Sequence, residues 1–273
     1  MKGSYIISLI FFLWCCTSPG NINAQADSSF QYIKTIKGDF TSFSVDNLDN
    51  IYVITGSQLR KLNEKGDSIC AYNDVKRFGN PSYIDVTNPL KILVYYKNFT
   101  TVAVLDRNLS IRNIIDFRKQ DIFQVKAIAG AYDNNIWLFD EAENKLKKID
   151  EQGNPLMETT GFNLLFDTVP VPLRVIDRDD FVYLYDPEKG FYIFDHYGSF
   201  KSRLPFLDWD NVEVSGKVMY GFSNNILYSY RLNSLDLKVY RLPAFFGDYL
   251  AIRVMNGKLY MLRDEGINIY QLK

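Results

Sequence analysis

Short apolar runs recur along the chain, each preceded by a polar turn. The residues that open these runs are Ile51, Ile92, Ile136, Val182, Val218 and Leu259. The spacings between them are 41, 44, 46, 36 and 41 residues. A repeat period of roughly 20 to 50 residues is typical of folds built from one repeated supersecondary unit. The chain is therefore predicted to be a repeat protein.

A second landmark recurs in five of the units, an apolar residue followed by Asn or Asp. The five pairs are Leu62-Asn63, Leu105-Asp106, Ile149-Asp150, Phe194-Asp195 and Leu232-Asn233. A short run of alternating apolar and polar residues follows each pair, and this alternation predicts half-buried strands rather than helices. Each unit is therefore predicted to contain four short strands, which is typical of a β-propeller blade.

The two ends of the chain predict how the propeller closes. The last unit stops at Lys273 before a fourth strand, and an additional strand, FQYIKTIK (residues 30–37), precedes the first full unit. Placing this strand on the outside of the last unit completes the blade and protects its sheet edge. The predicted fold class is all-β, a six-bladed β-propeller of four-stranded antiparallel blades that is closed by residues 30–37.

The repeat pattern over residues 30–273 resembles the six-bladed propellers of the NHL and gluconolactonase-like kind, and in particular the secreted six-bladed propellers of Bacteroidota. Gluconolactonase-like propellers hold a divalent cation in the central channel. The resemblance therefore implies an alternative function as a metal-dependent lactonase or hydrolase. No motif with matching acidic residues is present, so no catalytic residue, metal ligand or cofactor is carried over, and the fold itself hosts many functions.

The N-terminal segment predicts export. Lys2 is followed by the apolar run YIISLIFFLW, which is too short to span a bilayer as a resident helix. Cleavage after Ala24 would separate a signal peptide, residues 1–24, from a single domain, residues 25–273. Lipidation at Cys15 or Cys16 is the alternative route. Both routes take the mature chain to the periplasm or the cell surface.

Charge and cysteine content narrow the possible partners. The formal net charge of −1 becomes −2 without residues 1–24, which contain Lys2 and no acidic residue. This balance provides no basic field for nucleic acid or an anionic membrane surface. Cys70 is the only cysteine after residue 24, so no intramolecular disulfide can form. Stability must come from a core, and 47% hydrophobic residues supply the material.

Two polar stretches predict turns rather than sites. In VDNLDNIYV (45–53), an EF-hand count that starts at Asp46 places Leu48, Ile51 and Ser57 at positions that need an oxygen ligand, Gly and Glu. The stretch is therefore predicted to be the turn between the first two strands of a blade. His196 lies in DHYG and is predicted to be a solvated turn residue without a catalytic role.

Charged residues on or beside the innermost strands are candidates for a ligand site in the central funnel. The available residues are Asp85, Lys126, Arg174, Asp177, Glu213 and Arg253. Half of them are basic and would repel a cation, so the mixed charge favours an anion or a zwitterion. The candidate funnel ligands are Arg174, Arg253, Lys126 and Asp85. The alternative is that these charges pair across the channel or lie in water.

Apolar residues in three connections between blades are candidates for contact with a partner. The connections are GFNLLFDTVPVPL (161–173), FLDWDN (206–211) and PAFFGDY (243–249). The candidate contact residues, all predicted to lie on one face, are Phe162, Leu165, Phe166, Trp209, Phe245 and Phe246. The alternative is that these side chains cover the core.

The predicted function is that of an exported, non-catalytic module that binds or scaffolds another envelope protein, in an outer-membrane or secretion assembly. Binding of a carbohydrate or another small molecule is a further alternative. Ser68 and Thr168 each lie in a D-[S/T]-apolar stretch that resembles Bacteroidota O-glycosylation sites.

Overall fold

The structure is a computed structural model, and it describes residues 29–273 except Asn233 and Leu235. The predicted signal peptide and the two candidate lipidation sites, Cys15 and Cys16, lie outside these residues. No helix within the described residues is long and apolar enough to cross a membrane.

The described residues form six antiparallel sheets of four strands each. Blade 1 comprises β2 (Ser42–Val45), β3 (Ile51–Thr55), β4 (Gln58–Leu62) and β5 (Ser68–Tyr72). Blade 2 comprises β6 (Tyr83–Asn88), β7 (Lys91–Tyr96), β8 (Thr101–Asp106) and β9 (Ile111–Asp116). Blade 3 comprises β10 (Val125–Gly130), β11 (Ile136–Asp140), β12 (Lys145–Ile149) and β13 (Pro155–Glu158).

The second half of the ring repeats this order. Blade 4 comprises β14 (Arg174–Arg178), β15 (Phe181–Asp186), β16 (Gly190–Asp195) and β17 (Phe200–Leu204). Blade 5 comprises β18 (Asp210–Ser215), β19 (Val218–Ser223), β20 (Ile226–Arg231) and β21 (Asp236–Arg241). Blade 6 comprises β22 (Ala251–Met255), β23 (Lys258–Arg263), β24 (Gly266–Leu272) and, on its outside, β1 (Phe30–Lys37).

Short helical segments occur only in the connections of the described chain. They are α1 (Val75–Phe78), α2 (Phe162–Leu165) and the 3-10 turns Lys97–Phe99, Phe117–Gln120 and Ala244–Phe246. The first strand of each blade packs against the first strands of both neighbouring blades, so these six strands line a central channel. The all-β, six-bladed architecture predicted from the repeat is confirmed.

The closure of the ring is also confirmed. Strand β1 pairs antiparallel with β24, from Phe30 opposite Leu272 to Lys37 opposite Gly266. Gly266 has a φ of +135°, and a Cβ atom there would lie 2.1 Å from the carbonyl oxygen of Ile36. Only glycine therefore allows β1 to approach the start of β24 this closely.

The core consists of six clusters, each lying between two neighbouring blades. In one cluster, Tyr52 and Leu59 of blade 1 pack against Ile84, Ile92 and Val94 of blade 2. The second and third strands of a blade face such clusters on both sides, and all six residues of β7 are buried. Burial of one large aliphatic side chain contributes about 1.5–3 kcal/mol. The free energy gained by burying apolar side chains is thus distributed over the six clusters.

The stretch VDNLDNIYV forms the turn between β2 and β3. The Asp46 carboxylate is buried and accepts hydrogen bonds from the backbone N–H groups of Leu48 and Asn50, both at 2.9 Å, and from the Tyr52 hydroxyl at 3.1 Å. Asp49 adopts a left-handed φ of 61°. These contacts use the carboxylate for turn formation.

A second turn geometry explains the repeated apolar-Asn/Asp pairs. Asn63, Asp106, Asp150 and Asp195 each accept hydrogen bonds from the backbone N–H groups two and four residues further on. This turn joins the third and fourth strands of blades 1 to 4. The same side-chain chemistry recurs because the same turn recurs.

Replacement of Gly266 by alanine should destabilise the closed ring. The new Cβ would overlap the backbone of β1, so we expect the free energy of unfolding in urea to fall by more than about 3 kcal/mol. Gly257→Ala is the matched control, because Gly257 also has a positive φ of +70° but its nearest atom is the end of the Gln271 side chain at 3.5 Å. This control should cost only about 1–2 kcal/mol of backbone strain. Equal losses in the two variants would contradict this account of closure.

Candidate functional site

The strand order divides the disc into two faces. Each blade's fourth strand leads to the first strand of the next blade on one face, through residues 38–41, 73–82, 117–124, 159–173, 205–209 and 242–250. The turns between second and third strands share this face, which we name the loop face. The turns that follow each first and third strand lie on the opposite face, which we name the turn face.

Two candidate funnel residues meet on one carboxylate near the loop face. Arg253 on β22 places Nε 3.2 Å from Oε1 of Glu213 on β18. Arg174, the first residue of β14, places Nη2 3.7 Å from the same oxygen. Arg253 also donates hydrogen bonds to the side chain of Asn211 and the carbonyl oxygen of Ile252. The prediction that these charges pair with one another therefore holds for Arg253.

Arg174 makes a different set of contacts. The centre of its guanidinium lies 4.4 Å from the centroid of the Tyr83 ring. Burial raises the pKa of the Tyr83 hydroxyl, so this group stays neutral. Burial alone would lower the pKa of Arg174, but the carboxylates of Glu213 and Asp85 and a hydrogen bond to the neutral Tyr83 hydroxyl hold it above its usual value. Arg174 is therefore a fixed, fully charged group held against an aromatic ring.

The other two funnel candidates lie in different environments. Lys126 on β10 is partly buried and places Nζ 3.2 Å from Oε1 of Glu141. Asp85 on β6 is buried, and its carboxylate accepts a hydrogen bond from the backbone N–H of Thr87 at 2.8 Å. Strand β6 is irregular beyond Asp85 in its pairing with β7. The Asp85 carboxylate is thus used to hydrogen-bond the backbone of its own strand, where the pairing with β7 becomes irregular.

A cavity of about 170 Å³ opens among the starts of β6, β10 and β14. Its walls include Tyr83, Tyr95, Lys97, Lys126, Ile128 and Arg174. We name it the mouth pocket. Two of the four predicted funnel ligands, Arg174 and Lys126, line it, whereas Arg253 and Asp85 do not. In the described part of the chain, no group of three or more His, Cys, Asp or Glu side chains is arranged to hold a metal ion.

Three predicted partner-contact residues are buried and require correction. Phe162 stacks on Phe194 with ring centroids 5.2 Å apart. Trp209 stacks on Phe206 at 4.5 Å. Phe246 packs against Tyr270 at 4.6 Å. These rings fill the space between blades where the connections cross the core, so they are not available to a partner.

The other three predicted contact residues reach the surface to different degrees. Phe166 is half-buried and packs edge-on against Phe200. Leu165 is 41% exposed and Phe245 is 65% exposed. The same connections expose further apolar side chains that the sequence analysis did not select, above all Leu164 at 77% and Leu250 at 64%. In a short connection, the pattern of apolar and polar residues does not show which of two neighbouring apolar side chains is buried and which is exposed.

His196 is not the solvated turn residue that its position predicts. Its ring stacks on Tyr132 with centroids 3.9 Å apart and an angle of 13° between the planes. Its Nε2 atom lies 2.9 Å from Oδ1 of Asp177, whose side chain is fully buried. The other oxygen of Asp177 accepts a hydrogen bond from Nε1 of Trp137 at 2.8 Å. Tyr132 and Trp137 belong to blade 3, so this cluster joins blades 3 and 4 on the turn face.

Replacement of His196 by alanine should weaken this junction. The change removes one ring stack and one partner of a buried carboxylate, so we expect the free energy of unfolding to fall by about 1–3 kcal/mol. Tyr197→Ala is the matched control, because this neighbour in the same turn is 87% exposed. It should change stability by less than about 0.5 kcal/mol. Chemical denaturation of both variants tests the expectation, and similar losses would show that the cluster contributes nothing.

Similarity to known proteins is confined to the fold. No model of a known protein family matches the chain. No curated protein matches it in sequence. A solved streptogramin B lyase has a TM-score of 0.59 at 16% identity, with 85% of this chain and 78% of that chain covered.

Two further solved structures are similar to the same degree. Virginiamycin B lyase from Staphylococcus aureus has a TM-score of 0.58 at 10% identity, covering 89% of this chain and 88% of that one. The β-propeller domain of Cps50 (Swd1) from Myceliophteria thermophila has a TM-score of 0.60 at 10% identity, covering 89% and 100%. These identities show the fold alone. The chain is a six-bladed β-propeller, and its narrower resemblance to the NHL, gluconolactonase-like and Bacteroidota propellers stays a prediction.

Proposed function

We propose that this chain is an exported, non-catalytic β-propeller that binds another envelope protein through its loop face, as a subunit of an outer-membrane or secretion assembly. The observation that carries the proposal is a set of exposed apolar side chains on consecutive connections of that face. We name this set the apolar arc. It comprises Phe123, Leu164, Leu165, Val171, Leu173, Leu207, Phe245 and Leu250.

The distribution of these residues favours an interaction surface over scattered exposure. Single exposed apolar residues are ordinary on protein surfaces, whereas a series on neighbouring elements is typical of a contact site. The apolar arc runs over the four consecutive connections from blade 2 to blade 6. Among the side chains whose exposure the structure describes in the connections at residues 38–41 and 73–82, no large apolar one is exposed. Among the connections between blades, the exposed apolar side chains are thus concentrated from blade 2 to blade 6, and Phe99, in the turn between the second and third strands of blade 2, is a further exposed apolar residue on this face.

The buried aromatic residues strengthen the same proposal by making the surface rigid. Phe246 lies in the core directly beside the exposed Phe245, with ring centroids 5.0 Å apart. Phe162 is buried at the start of α2, the helix that carries Leu164 and Leu165. Phe245, Leu164 and Leu165 are thus each close in sequence to a buried aromatic residue. A rigid apolar surface loses little conformational entropy when it binds, which favours affinity.

Removal of the most exposed members of the apolar arc should abolish partner binding. The test variant is Leu164→Gln, Phe245→Gln and Leu250→Gln together. We expect it to recover at least tenfold less of the envelope protein that co-purifies with the wild-type chain after cross-linking in a native host, because such anchors contribute about 1–2 kcal/mol each. Quantitative mass spectrometry of the purified complexes measures this.

A triple variant on the opposite face is the control. Leu48, Leu90 and Tyr197 are similarly exposed on the turn face, at 66%, 60% and 87%. Their replacement by Gln should leave co-purification unchanged. Recovery of monomer alone from wild-type cells, or equal loss in both triple variants, would overturn the proposal.

A further inference from the structure

We propose that the mouth pocket binds a small carboxylate that carries a compact apolar body, such as a single ring. This inference goes beyond the protein-binding function proposed above and does not depend on it. Charge, unused hydrogen-bond donors and shape each point to this class of ligand.

The pocket wall is cationic. Lys97, Lys126 and Arg174 line it, and no acidic residue does. Two wall cations have a carboxylate just outside the wall, since Lys126 pairs with Glu141 at 3.2 Å and Arg174 lies 3.7 Å from Glu213, which is closer to Arg253. The ammonium group of Lys97 is exposed and forms no ion pair within the described residues. The pocket therefore attracts a negatively charged group.

Arg174 is the group best placed to bind that charge. The distance of 3.7 Å between its Nη2 and Oε1 of Glu213 is too long for a direct hydrogen bond. A guanidinium has five N–H donors, and a carboxylate can accept two of them side by side. Tyr83 restrains this side chain, with its ring centroid 4.4 Å from the guanidinium centre and its hydroxyl as one hydrogen-bond partner. The side chain is thus pre-organised yet lacks a full set of acceptors.

The remaining wall is apolar and sets the size of the ligand. Ile128, Leu173 and the ring of Tyr95 contribute to it. The Tyr95 hydroxyl donates to the carbonyl oxygen of Val125 at 2.8 Å, so its ring rather than its oxygen is offered to a ligand. The volume of about 170 Å³ is similar to that of a ~150 Å³ cavity that accommodates benzene. A carboxylate with one ring therefore fits the space.

Benzoate is a suitable probe, and isothermal titration calorimetry can measure its binding to the purified propeller. We expect a dissociation constant of roughly 0.1–1 mM, which is ordinary for a ligand of this size. Benzyl alcohol, which has the same ring without the charge, should bind at least tenfold more weakly. Inorganic sulfate, which has charge without the ring, should also bind more weakly.

Substitutions assign the binding to the pocket. Arg174→Gln should weaken benzoate binding at least tenfold, and Lys97→Gln, at an exposed position with no effect expected on folding, should weaken it two- to fivefold. Lys65→Gln removes the same charge from the turn face and should leave affinity unchanged. The triple apolar-arc variant should retain benzoate binding, so failure of this proposal is separable from failure of the proposed function.

The proposal would be overturned by any of three results. Equal affinity for benzoate and benzyl alcohol would remove the role of charge. Equal affinity for sulfate would remove the role of the apolar wall. Unchanged benzoate binding in folded Lys97→Gln and Arg174→Gln proteins, with folding checked by circular dichroism, would place any binding elsewhere.

Discussion

Seven residue pairs join β1 to β24, and through them the first described strand completes the last blade. Strand β1 also supplies side chains to two inter-blade clusters, because Phe30 packs with residues of blades 5 and 6 and Ile36 with residues of blades 6 and 1. A blade buries its two faces only against its neighbours. A gap in the ring would expose both of these clusters and the edge of β24 at once. Closure therefore directly stabilises blades 5, 6 and 1, in a chain whose described residues contain a single cysteine.

The two faces of the disc differ in the contacts that their loops make. On the turn face, polar contacts cross from blade to blade, such as Lys258 with Asp49 at 2.7 Å and the backbone N–H of Lys217 with Asp179 at 2.8 Å. The cluster of His196 and Asp177 belongs to the same set. The loop face carries the apolar arc on four consecutive connections, beside the mouth pocket. Blades held together on one face leave the loops of the other free to carry contacts with a ligand or a partner.

The fold was predictable because its signals are local and repeated. The alternation of apolar residues and the Asn/Asp turns describe each strand and turn without knowledge of its neighbours, and even the place of residues 30–37 followed from counting strands. The site depends on contacts between blades. Nothing in the stretch DHYG indicates that His196 stacks on Tyr132, some 60 residues away in another blade. Likewise, nothing in the connection at residues 161–173 indicates that Phe162 rather than Leu164 points into the core. Arg174, Lys126, Arg253 and Asp85 could be assigned to the channel because innermost strands line it, but only the contacts between blades separate the two that line the mouth pocket from the two that do not.

Complementation of the missing strand tests ring closure most directly. A chain that begins at residue 38 lacks β1, and a synthetic peptide of sequence FQYIKTIK can be supplied to it in trans. Strand addition at an open sheet edge should restore pairing with β24. The account predicts that the shortened chain lacks a cooperative thermal transition alone and regains it with the peptide, but not with a scrambled peptide. An unchanged transition in the shortened chain without any peptide would contradict it.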